Sequence, residues 1–234
     1  MMKIIKLEWK KNRLSQYIKT TIISTLLIFA LTAFMSVMSQ KQGESMFTDF
    51  SSYMSFVNIM IRIVFVIFSA VLLSRLVIDE YKNKTLQVLF TYPVNRKRVM
   101  QSKLLLIVSF CLVNILFSTV VISLLTLVLN PTLNIVPSGM EVKDIIGILP
   151  STLIISVMTA CLSLIPLYFG MKKNSSSTTI TWGVIIGFLV NATVSDGATT
   201  ADMTQFLIIP LILAISGLLI AYLTFHRIES QDIV

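Results

Sequence analysis

The chain has 234 residues, 55% hydrophobic and 13% charged, with a net charge of +8. That apolar content exceeds what a water-soluble domain of this length can hide, so the composition excludes an ordinary soluble enzyme and places the chain in a membrane. Cys111 and Cys161 both fall inside apolar runs, where a thiol acts as a small hydrophobe, so neither a disulfide framework nor a metal-ligand spacing is present.

Taken in chain order, residues 1–17 read as an amphipathic helix. Ile4, Leu7, Leu14 and Ile18 share one face, Lys3, Lys6, Lys10 and Arg13 lie mostly elsewhere, and Lys11 interrupts the apolar side. Such a helix lies at the inner leaflet with Trp9 and Tyr17 at headgroup depth. The apolar core that follows is too long for a secretory signal and lacks a small-residue cleavage site, so it is kept as a mature helix.

Six apolar runs follow, at about residues 18–38, 57–78, 104–129, 145–169, 178–195 and 205–225. Each spans about 30 Å of hydrocarbon at 1.5 Å per residue. They are continuous in Leu, Ile, Val and Phe, without the alternating polarity of a membrane barrel, so the expected fold is an all-α polytopic membrane protein with a single transmembrane domain.

Orientation follows from the basic residues, which are held back on the cytoplasmic side. Sixteen of the nineteen Lys and Arg residues fall before span one, around the loop after span two, after span four or after span six. Only Lys41 and Lys143 lie in the opposite loops, with Arg62 inside span two. Both termini are therefore expected in the cytoplasm, and the positive charge is topological rather than a nucleic-acid footprint.

The loops expected outside the cell, at residues 39–56, 130–144 and 196–204, are too short to fold as domains. The third span is expected to protrude into the cytoplasm, because Asn95 can cap a helix running from residue 96 to 129, about 50 Å long. The fifth run is the weakest, and its Gly183 and Gly187 form a small-xxx-small pattern that permits close helix approach.

Catalytic and ion-coupling chemistry is missing. The spans hold Arg62 and essentially no Asp, Glu, Lys or His, which argues against a proton- or sodium-coupled carrier. His226 is read as an interfacial residue at a helix C-terminus, with no HExxH or nucleophile partner. There is no GxxxxGK[ST], so any ATP and Mg chemistry belongs to a separate subunit, and no cofactor or metal is expected in this chain. Arg62 lies about 8 Å inside the outer end of span two and has two readings. It snorkels to the headgroups, or it pairs with Asp49, Asp196 or Asp202 at an external gate.

The segment DEYKNKTLQVLFTYPVNRKR, residues 79–98, is a charged island between two oily runs. Thr85 is placed to cap a short helix whose one face carries Leu86, Leu89 and Phe90, and Pro93 ends it at Tyr92. Arg96, Lys97 and Arg98 then open the next helix, where cations oppose the helix dipole and favour anionic headgroups. From the residues alone, the apolar face either docks on a partner or rests on the membrane surface.

The longer string DEYKNKTLQVLFTYPVNRKRVMQSK resembles the signature of type-2 ABC transporter permeases. Glu80, Thr85, Leu86, Leu89, Pro93, Val94, Arg96 and Lys103 stand at the matching positions, while Lys84 replaces the usual Gly and Asn95 the usual Ser. The resemblance implies that residues 79–103 form a coupling segment, whose short helix seats in a cytoplasmic ABC ATPase subunit. It also implies that two permease chains, identical or different, work with two ATPases, and that the interval around Asp196 to Thr204, which holds Asp202, forms outer re-entrant or capping structure before span six.

The reading is thus a permease of an ATP-driven exporter, working by alternating access in a bacterial cell membrane. Phe29, Phe34, Met35, Met60, Phe65 and Phe68 suit a hydrophobic or amphipathic cargo, and small subunits of the family resemble exporters of antimicrobial peptides and drugs. The competing reading is a non-transporting scaffold or sensor that uses the same helix to dock a soluble protein.

Overall fold

The computed structural model describes residues 14–42, 46–47, 49–82, 96–136, 142–173, 175–195, 211–212, 214–217 and 219. Among them there is no strand. The helices are α1 (Leu14–Lys41), α2 (Phe50–Leu73), a π-helical turn (Ser74–Ile78), α3 (Asp79–Lys82), α4 (Arg96–Leu133), α5 (Val142–Leu162), α6 (Ile165–Lys173) and α7 (Ser176–Ser195). The described residues between 211 and 219 are also helical.

Four stretches are long and apolar enough to cross a membrane: Gln16–Lys41, Phe50–Ile78, Val99–Leu133 and Ile145–Lys173; Ser176–Asn191 is apolar but shorter. They coincide with the first four expected spans. Residues 1–13 of the expected interfacial helix and most of the sixth run lie outside the described residues, while Leu14 to Tyr17 are the first turn of α1.

The run at residues 145–169 is not one helix but two. Pro166 has no N–H to donate to Leu162 and crowds the preceding turn. The chain breaks at Ser163 and Leu164, where Ser163 N–H donates to Thr159 O at 3.0 Å and Leu164 N–H to Cys161 O at 3.2 Å. At its far end α4 is closed by Asn134, whose φ of 48° is the left-handed conformation that Asn tolerates. The Asn130 side chain accepts from Val136 N–H at 2.8 Å there and binds the turn back onto the helix.

The core is built around α2. Tyr53, Met54, Val57, Ile61 and Phe65 pack with Ile28 and Phe29 of α1, Cys111, Ile115 and Ile122 of α4, and Ala160 of α5. Phe65 and Phe68, counted in sequence as cargo-facing candidates, are partners in this packing, with Phe68 stacked on Phe110 at 6.0 Å. Many buried hydroxyls are satisfied locally by carbonyls one turn back or across helices, as in Thr25 with Ser118 at 2.7 Å and Thr32 with Tyr53 at 3.1 Å. In a bilayer such bonds hold helices together where apolar contact alone does not discriminate protein from lipid. Ile23, Leu26, Leu27 and Phe34 form an exposed apolar face of α1 suited to hydrocarbon.

Helix α7 lies against α2 through its glycines. A Cβ at Gly183 would run into the Cβ of Ala70, and one at Gly187 would meet the backbone of Ile63 at 3.6 Å. The small-residue spacing read in the sequence is therefore a packing surface within this chain.

Candidate functional site at the basic end of the bundle

The π-helical turn Ser74–Ile78 is where α2 gives way to α3, and it is signalled by Asp79 N–H bonding to Ser74 O, five residues back. A π-turn widens the helix and offsets its hydrogen-bond ladder, a geometry often found at functional sites. Its apolar side is firmly set: Leu76, Val77 and Ile78 are buried with Met100, Leu106, Ile107, Leu164 and Leu167.

Three elements hold the turn through polar side chains. From α4, Lys103 donates to Leu76 O at 3.0 Å and forms an ion pair with Glu80. Its side chain is 1% exposed and that of Glu80 16%. From α7, Ser176 bridges the turn: its hydroxyl donates to the Asp79 carboxylate, and its carbonyl accepts from the Ser74 hydroxyl at 3.4 Å. From α1, Tyr17 accepts from Arg75 Nη1 at 3.0 Å, with the guanidinium 5.9 Å from its ring centroid.

The attachment of α7 is rigid because its hairpin with α6 is tight. A Cβ at Gly170 would overlap the Thr179 hydroxyl, and Phe169 stacks on Trp182 with centroids 3.8 Å apart. The turn and α3 are thus tied by buried or partly buried side chains to α4 and α7, and by the exposed Arg75–Tyr17 contact to α1.

Of the residues singled out in the island, Glu80 is placed by the structure in an ion pair within the chain. Arg96 begins α4. Thr85, Leu86, Leu89, Phe90 and Pro93 lie outside the described residues, as do Asp196 and Asp202. Arg62 is inside the bundle at 5% exposure, far along α2 from this turn. Among the described residues no group of acidic, His or Cys side chains could hold a metal ion.

Sequence reasoning counted Lys103 as one more topological cation and did not foresee its burial. The signal was present, since Glu80 and Lys103 were both motif positions. Their partnership depends on how α4 packs beside α3, which spacing along the chain does not reveal. Ser176 and the π-turn were not singled out at all.

Comparisons with known proteins identify the family of the chain. The model of the ABC-2 family transporter proteins matches residues 4–191, a stretch that contains both members of the ion pair. An uncharacterized protein, YcbO of Bacillus subtilis strain 168, is 30% identical over 231 residues, covering 99% of this chain and 100% of that protein. No solved structure matches. The chain belongs to the ABC-2 transporter family, whose members are typically non-catalytic membrane subunits partnered with an ABC ATPase.

Proposed function

We propose that this chain is the permease of an ATP-driven exporter, crossing a bacterial cell membrane six times with both termini in the cytoplasm. A partner ATPase seats on the helix at Thr85 to Tyr92 and hydrolyses ATP with Mg, while a second permease chain completes the path. The observation that carries this reading is the three-sided attachment of the turn Ser74–Ile78. The island begins directly beyond it, at Asp79, and resumes as α4 at Arg96. A push on the island acts on α2 through α3 and on α4 through Lys103, and reaches α7 through Ser176.

The cargo on this reading is hydrophobic or amphipathic, an antimicrobial peptide or a lipophilic drug. In support, a groove of about 320 Å³ opens between α1 and α4, lined by Ile18, Ile22, Phe110, Val113 and Phe117, with Asn114 as a polar point. The groove also suits membrane lipid.

Leu89→Asp tests the docking. It puts a charge on the apolar face that the ATPase would cover, and burying an unpaired carboxylate is costly. Membrane insertion is expected to persist while the ATPase no longer co-purifies and stimulated hydrolysis is lost. Retention of the complex and of its activity would refute the exporter reading as stated.

A further inference from the structure

The groove between α1 and α4 has a closed end and an open one. Ile18, Thr21 and Ile22 line it from α1, and residues at helical spacing from Leu105 to Phe117 line it from α4. One turn past Thr21, the Thr25 hydroxyl meets that of Ser118 at 2.7 Å with both residues buried, so the helices touch there and the groove ends. The rise from Leu105 to Phe117 is about 18 Å, close to the roughly 15 Å that one leaflet contributes to a hydrocarbon core. Thr21 donates to Tyr17 O at 3.0 Å and Asn114 to Phe110 O at 2.6 Å, so these hydroxyl and amide donors are used within their own helices. Ile22, Leu105, Val113 and Phe117 are exposed, and the groove offers a ligand mainly hydrocarbon contact.

The open end lies at the basic end of the bundle, and continuous contacts join it to a cation. Phe110, which lines the groove, stacks on Phe68 at 6.0 Å, and Phe68 packs edge-on against Tyr17 at 5.8 Å. The Tyr17 hydroxyl accepts from Arg75 Nη1 at 3.0 Å. Arg75 is exposed, and among the described residues it meets this neutral hydroxyl rather than a carboxylate. The nearby acids are engaged elsewhere, Asp79 with Ser176 and Glu80 with Lys103. Lys19 is exposed two residues beyond Tyr17, and Lys172 and Lys173 close α6. A guanidinium with further N–H donors to offer matches a phosphate, and the surrounding cations disfavour a headgroup that carries its own positive charge.

We infer that the groove holds an acyl chain of an anionic inner-leaflet phospholipid, whose phosphate is taken by Arg75 while Tyr17 forms the collar between head and tail. The headgroup then bears on the π-helical turn itself, since Arg75 belongs to it. This deepens the lipid reading of the groove and rests on the basic end facing the cytoplasm, but it does not depend on the ATPase.

The test uses the full chain in nanodiscs of equal phosphatidylglycerol and phosphatidylcholine with the same acyl chains, with the lipids that stay bound on release identified by native mass spectrometry. The wild type is expected to retain phosphatidylglycerol about fivefold over phosphatidylcholine, the scale of one cation beside an anionic headgroup. R75Q should bring the two lipids level, R75K should keep part of the preference, and K172Q should keep nearly all of it. I22W fills the groove from its exposed side and should lower retention of both lipids. Should R75Q not fold, as judged by size exclusion, R75K and I22W carry the test. A wild type that holds both lipids equally would overturn the site and leave the groove to neutral lipophilic molecules. An equal loss of preference in K172Q would also overturn it, by showing a diffuse basic surface, and so would undiminished retention in I22W, by placing the lipid elsewhere. Lipid retention does not involve the ATPase, so failure of this site is separable from the Leu89→Asp result.

Discussion

Lys103 on α4 is joined to Glu80 on α3 and, through the same ammonium, donates to Leu76 O at 3.0 Å within the π-turn. One cation thereby closes the two ends of the island against each other. With the lysine 1% exposed, both acceptors help to hold the charge there.

Removing one partner should therefore be expensive. Glu80→Gln or Lys103→Met is expected to lower stability by about 3 kcal/mol, the usual scale for leaving one charge of a buried pair uncompensated. Exchanging both for apolar residues should cost much less. Thermal unfolding of the purified single and double variants in detergent measures the coupling between them, and additive losses would contradict the pairing.

Ser176 presents a different balance, because its hydroxyl and carbonyl each make one bond to the turn. Ser176→Ala removes the hydroxyl and leaves the partly buried Asp79 carboxylate short of a donor, at about 1–3 kcal/mol. The variant should still insert and bind the ATPase, with transport-coupled hydrolysis reduced relative to binding. Unchanged coupling would show that α7 is not linked to the island through this residue.

Arg75 sits on the exposed side of the same turn. Its contact with Tyr17 is solvent-accessible, and exposed charge contacts are worth about 0–1 kcal/mol. Arg75→Gln is expected to shift the unfolding temperature far less than Lys103→Met in the same assay. An equal shift would mean that burial does not rank these contacts.

At the α2 to α7 contact the steric argument is direct. Gly183→Leu drives a side chain into Ala70 and should destabilise by about 1–3 kcal/mol, the range for overpacking. Ala70→Gly in the same chain should recover part of the loss, as read by thermal unfolding. No recovery would place the clash elsewhere.

Much was legible before any coordinates. Continuous Leu, Ile, Val and Phe runs mean that backbone groups must bond within their own segment, so helices follow, and the string from Glu80 to Lys103 carried the family. The helix beginning at Arg96 was readable from Asn95 as a cap. These are local properties, written in composition, run length and neighbouring residues.

Composition and local motifs accordingly fix the class of the protein: helical, membrane-embedded and belonging to the ABC-2 transporter family. Tertiary structure decided which polar residues meet. It turned Lys103 from a loop cation into the buried partner of Glu80, and recruited Ser176 from about a hundred residues away. It also enclosed Arg62 in the bundle beside a cluster shared by four helices. The physical reason is that burial and pairing depend on distances between helices. Those distances are set by side-chain volumes such as Gly183 against Ala70, not by spacing along the chain.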